Sequence, residues 1–169
     1  MLQVLLPRVS EMVKTENWIY REAAVLALGT VANGAQQFLG PHMNTILPFL
    51  VSLLNDQVYL IRSITCWTLG RYAKWLMNHH EGMSHVDIQH LTHTAKPAAK
   101  KMIADLLNIL LPRVLDPNKK VQHAAVSALA NIMDDSREFN VDMRPHLDGV
   151  INTFAQAANS FQVRNTPRT

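Results

Sequence analysis

A single cysteine, Cys66, stands in 169 residues. No internal disulfide framework can form, and the chain is compatible with a reducing compartment. No block of like charges occurs; the densest basic spots are Lys100-Lys101 and Lys119-Lys120, and the formal net charge is +3. So weak and dispersed an excess does not by itself indicate nucleic acid. No apolar run is long enough to span a bilayer. Met1–Leu6 lacks a basic lead and a small-residue cleavage site, so no signal peptide is expected. No Gly-rich phosphate loop is present, and no nucleophile stands with a base and its orienting group. The expectation is a binding protein, not an enzyme, with no cofactor and no contact to membrane or nucleic acid.

What is present is helical periodicity. With 48% hydrophobic and 17% charged residues, the chain can bury a core. Met1–Lys14 carries Leu2, Leu5, Leu6 and Val9 on one side. It opens without a cap, as the middle of a larger architecture would. Asn17 is placed to cap a helix over Trp18–Ala32, with Gly34 as its stop. Pro41 opens a helix over His42–Leu54, and Gln57–Met77 follows after a turn at Asn55-Asp56. This last helix has two stripes. Ile61, Thr65, Leu69, Tyr72 and Leu76 form one; Leu60, Ile64, Trp67, Arg71 and Lys74 form the other. An ordinary core needs only the first.

The helices repeat in pairs. A shift of 41 residues lays Leu6-Pro7 on Leu47-Pro48, Arg21 on Arg62 and Leu28-Gly29 on Leu69-Gly70. A third copy, Leu110–Met133, matches Leu47-Pro48 at Leu111-Pro112 after a shift of 64. Its Ala124-Ala125 matches Ala23-Ala24 after a shift of 101. The excess of near twenty residues falls on an insertion at 78–96. The reading is an all-α, α-α superhelix: a HEAT/armadillo-like solenoid of about three and a half helix-pair repeats over 1–161. The units are about 1–40, 41–77, 97–137 and a partial 138–161, and a disordered tail is expected at 162–169. Two helices per unit favour HEAT. Gly29 and Gly70 recur at one register, which suggests a tight crossing with the next helix.

In this register the second helices carry an outer stripe across the array. It reads Ile19, Ala23, Leu26, Thr30 in the first unit and Leu60, Ile64, Trp67, Arg71 in the second. In the third it reads Lys120, Ala124, Ser127, Asn131, Asp134. An aromatic anchor then lies near an acidic end, Asp134-Asp135. Periodicity alone favours Trp67 packing between repeats; a contact residue is the other reading.

RSITCWTLGRYAKW, WIYREAAVLALGTVANG and LDPNKKVQHAAVSALANIMDD together resemble the central HEAT repeats of the transportin-type nuclear import receptors of the importin-β superfamily. The resemblance covers roughly Leu2–Phe161 and implies a receptor segment, a fragment of the whole receptor, shared between cytoplasm and nucleus. It implies cargo proteins as partners, bound through extended basic proline-tyrosine localisation signals on the concave face. Carried over by position, the signal-contacting residues are Leu26, Ile64, Trp67 and Arg71, with Ala124, Asn131 and Asp134. The parent family also binds the small GTPase Ran and nucleoporins, but the Ran site is expected to be absent here. The alternative is a structural HEAT-repeat scaffold with no peptide groove. In the insertion, His79, His80, His85, His90 and His93 fit no zinc signature, and no metal is expected.

Overall fold

The computed structural model describes residues 2–32, 34, 39–78, 99–138 and 143–165. These form α1 (Leu2–Met12), α2 (Trp18–Val31), a 3-10 turn (Gly40–His42), α3 (Met43–Leu53), α4 (Tyr59–Asn78), α5 (Ala99–Val114), α6 (Lys119–Glu138) and α7 (Arg144–Asn165). No strand occurs among the described residues. No described helix is long and apolar enough to cross a membrane.

The helix starts follow from short-range chemistry. The Ile19 amide donates to Asn17 Oδ1 at 3.1 Å, and the Lys120 amide donates to Asn118 Oδ1 at 2.9 Å. Each side chain satisfies a donor that the first helical turn leaves without a partner. Just ahead of α4 and α6, Asp56 Oδ1 accepts from the Val58 amide and Asp116 Oδ1 from the Asn118 amide, which closes the turn that leads into each helix. Pro7, Pro48 and Pro112 lie inside α1, α3 and α5. Each removes a backbone donor and favours a bend.

Each first helix packs on its second: α1 on α2, α3 on α4 and α5 on α6. The second helices lie side by side in the order α2, α4, α6, and α7 stacks on α5. The two stripes of α4 separate as their chemistry dictates. Ile61, Thr65, Leu69 and Tyr72 are buried, whereas Leu60, Ile64, Trp67, Arg71 and Lys74 are all half-buried. The buried stripe joins Ala24, Val25 and Leu28 of α2 and Val121, Ala125, Leu129 and Ile132 of α6 in one continuous core.

Polar bonds set the register between units. Arg21 Nε donates to Asp56 Oδ2 at 3.1 Å, and Arg62 Nε to Asp116 Oδ2 at 2.8 Å. A second guanidinium nitrogen meets the other carboxylate oxygen in each pair. Both arginines also send Nη1 to their own turn: Arg21 to the carbonyls of Thr15 and Glu16, Arg62 to those of Asp56 and Gln57. Each side chain thus closes the turn behind it and holds the next. Asp116 on Asp56 fixes the second-to-third shift at 60 residues, and Gln122 falls on Arg62. The expected match of Leu111-Pro112 to Leu47-Pro48 is off by one helical turn, because a Leu-Pro pair is a local feature and the turn contacts, not the proline, lock the units.

One boundary, that of the tail, differs from expectation. Apart from Asn78, which ends α4, the insertion lies outside the described residues. Residues 162–165 of the expected tail continue α7, and 166–169 lie outside the described residues. The first helix breaker after Phe161 is Pro167, which disfavours helix at the residue before it, so nothing stops α7 sooner.

Candidate functional site

The half-buried stripe of α4 sits between α2 and α6, and its centre is Trp67. A Cβ at Gly29 of α2 would overlap the Trp67 ring. The bare glycine backbone is therefore the seat on which the indole lies. Arg71, one turn on, stands with its guanidinium carbon 4.9 Å from the ring centroid and donates from Nε to the Gly29 carbonyl at 2.7 Å. Arg71 therefore holds the ring by cation–π attraction and is itself anchored to the glycine on which the ring rests. The remaining guanidinium donors of Arg71 make no hydrogen bond among the described residues. Two bonds below lock the helices: Thr68 Oγ1 to the Val25 carbonyl at 3.3 Å and Tyr72 Oη to the Leu28 carbonyl at 2.9 Å. Burial raises the Tyr72 hydroxyl pKa.

Around this centre, Leu26 of α2 occupies the register position of Trp67 and is 44% exposed. Ile64, one turn before Trp67, is half-buried. On the α6 side, Gly70 lies against Ala128, whose Cα and Cβ would be 2.9 Å from an added Cβ. This contact brings α6 close enough to extend the face. Ala124 is half-buried there, and Ser127, Asn131 and Asp134 are exposed. Ser63 Oγ donates to the Lys120 carbonyl at 3.2 Å, and Lys120 Nζ stands 5.9 Å from the Tyr59 ring centroid.

The surface is thus apolar and aromatic over α2 and α4, cationic at Arg71, and small, polar and acidic over α6. It offers apolar contact at Leu26, Ile64 and Trp67, hydrogen-bond donors at Arg71 and negative charge at Asp134. Trp67 has both features weighed from the sequence, since it packs on the neighbouring repeat and keeps part of its ring accessible.

Other chemistry is spare. Cys66 is fully buried, and burial pushes its thiol up to about 12, which leaves it protonated and unreactive in neutral solution. No group of three His, Cys, Asp or Glu side chains among the described residues is placed to hold a metal ion. The histidines of the insertion lie outside the described residues. The recurrence of Arg21 and Arg62 is visible in the sequence, but their role as links between units is not. The signal was an Asp six residues ahead of Arg62, with Thr15 and Asp116 at the same distance ahead of Arg21 and Gln122.

Comparison with known proteins adds an independent line. A family profile described as a HEAT-like repeat matches residues 18–72. The chain is 36% identical over 165 residues to the Transportin of Dictyostelium discoideum, covering 97% of this chain and 16% of that protein. It is 38% identical over 167 residues to Transportin-1 of Oryza sativa subsp. japonica, covering 97% of this chain and 17% of that protein. Importin subunit beta-2 of Schizosaccharomyces pombe is 32% identical over 165 residues, covering 98% of this chain and 16% of that protein. The chain spans about one sixth of the length of these relatives.

Proposed function

Because the chain is a homologue of the transportins and of the wider importin-β proteins, we propose that it is a segment of a nuclear transport receptor. Its part is to hold an extended localisation signal of a cargo protein, of the proline-tyrosine type, across α2, α4 and α6. The observation that carries this reading is the Trp67–Arg71 pair on Gly29, flanked by exposed Leu26 and half-buried Ile64. A signal's apolar residues lie against Leu26, Ile64 and Trp67. Its backbone meets Arg71, and Asn131 stands further along the face. Its basic residues face Asp134, with Ala124 giving room for the main chain between. An extended ligand loses conformational entropy on ordering, so affinity is spread over many contacts. The charged contact weakens as salt rises. The site requires no covalent chemistry, and the reading places the protein in both cytoplasm and nucleus.

A second reading is favoured by one observation: the Trp67 ring lies on Gly29 and so ties two repeats together. In that case the array is a scaffold, and the indole is structural. Fluorescence anisotropy of a labelled proline-tyrosine signal peptide at low salt separates the two. The transport reading expects binding that Trp67→Ala weakens by at least about tenfold, the loss typical of a central aromatic anchor. It also expects weakening by Leu26→Glu, a change at an exposed position that leaves the fold intact by circular dichroism. Folded protein that ignores the peptide, or binding untouched by both variants, selects the scaffold.

A further inference from the structure

On its open face α6 carries opposite charges at the two ends. The stripe runs Lys120, Ala124, Ser127, Asn131, Asp134, and Lys120 and Asp134 are both exposed. They stand 14 residues apart, about 21 Å along the helix. Between them Ala124 and Ser127 are small and uncharged.

The Lys120 edge is built by α4 as well as by α6. Ser63 Oγ donates to the Lys120 carbonyl at 3.2 Å, and Lys120 Nζ stands 5.9 Å from the centroid of the Tyr59 ring. Cation–π attraction keeps the ammonium at this edge, and a ring without net charge leaves its charge uncancelled. Further along the same edge the equivalent positions are Ile19, 55% exposed, and Leu60, half-buried. No acidic residue occupies this register in the three units. A basic ligand side chain directed there meets either apolar surface or like charge.

Geometry then ties neighbouring ligand residues to different edges. Packed helices lie roughly 8–10 Å apart and an extended residue spans roughly 3.3 Å, so about three residues of a crossing segment lie over α6. Successive side chains of an extended segment point to opposite sides. With the main chain over Ala124 and Ser127, one side chain turns toward Asp134 and its two neighbours turn toward Lys120. Each edge is about 10 Å from the middle of the face, which a long ligand side chain and its partner span together.

We propose that α6 sorts the charges of a bound signal by edge, with Lys120 as the specificity-determining residue. The basic side chain faces Asp134, and the residues directly beside it face Lys120 and are acidic or neutral, not basic. This rests on the signal-binding reading above and adds to it a rule about which residues stand next to the basic one. Both charges are exposed, so the selection is strongest at low salt.

The test uses the full chain and a labelled proline-tyrosine signal peptide with one basic residue, in three forms. The two neighbours of that residue are glutamate, alanine or lysine. On the unmodified chain at low salt, affinity is expected to fall in that order, by at least about threefold from first to last, the size that exposed charge pairs give. Lys120→Glu reverses the order. It lies in the first turn of α6, where negative charge favours the helix, and circular dichroism checks that it folds. Lys14→Glu, exposed in the turn after α1, makes the same change in net charge and keeps the original order. Peptides that bind but whose order ignores Lys120→Glu, reverses equally with Lys14→Glu, or favours lysine neighbours on the unmodified chain overturn the proposal and leave the signal-binding reading standing. Binding of none of the three overturns both.

Discussion

Asp116 shows how one side chain can hold a joint between repeats. Its side chain is 2% exposed and faces Arg62 at 2.8 Å and Arg113 at 3.9 Å. Burial alone would raise its pKa, but the hydrogen bonds from Arg62 and the Asn118 amide, with both arginine charges, outweigh burial and hold the carboxyl below its usual value. Correspondingly, the hydrogen bond to Asp116 raises the Arg62 pKa. A carboxyl with a depressed folded pKa contributes stability that is fully present above the unfolded value, near 4, and is lost as pH falls through the lower folded one. Urea unfolding between pH 7 and pH 2 should therefore show stability declining below about pH 4, and Asp116→Asn should flatten that decline. At neutral pH the same variant is expected to cost about 3 kcal/mol, because it leaves the Arg62 charge facing a neutral group in a largely buried site. A loss near zero would mean that the pair only breaks even against its own desolvation.

At the scale of the element, the two helix glycines are explained by the helices that cross them. In a helix interior each costs about 1 kcal/mol relative to alanine. Gly29 admits the Trp67 ring and Gly70 admits the Ala128 backbone, so neither position has room for a methyl group. Gly70→Ala meets main chain, which cannot rotate aside, and should destabilise by about 1–3 kcal/mol despite the gain in helix propensity. Gly29→Ala meets a side chain instead. Its cost should fall when Trp67 is also alanine, giving a coupling of at least about 0.5 kcal/mol in a double-mutant cycle of urea unfolding. Strictly additive effects would show that the ring does not rest on the glycine. Much of this was legible in the sequence. The recurrence of Gly29 and Gly70 marked a crossing, and the two stripes of α4 marked a buried face and a second contact face. The identity of the crossing partner was not legible, because it lies on a helix some forty to sixty residues away.

For the whole molecule, stability is graded along the array. α4 is packed on both sides by second helices, whereas α1 and α7 each have fewer neighbours. Hydrogen exchange should be slowest in α4 and the adjoining face of α6, and fastest in α1 and α7, as nearest-neighbour stacking implies. Uniform protection would instead indicate one cooperative unit in which the end helices contribute as much as the centre.

The sequence by itself determined the helices, their pairing and the stripe that becomes the core, because periodicity, caps and proline act over a few residues and leave a local record. It also carried Leu26, Ile64, Trp67 and Arg71 onto one face, since repeats in register place equivalent positions in a row. Only the tertiary structure decided how units lock together. Arg21 finds Asp56 and Arg62 finds Asp116 across separations of 35 and 54 residues, and no local signal specifies such a pairing. The structure alone also decided that Trp67 is seated and partly open at once. Burial and partnership belong to the neighbour a side chain meets, and the fold supplies that neighbour.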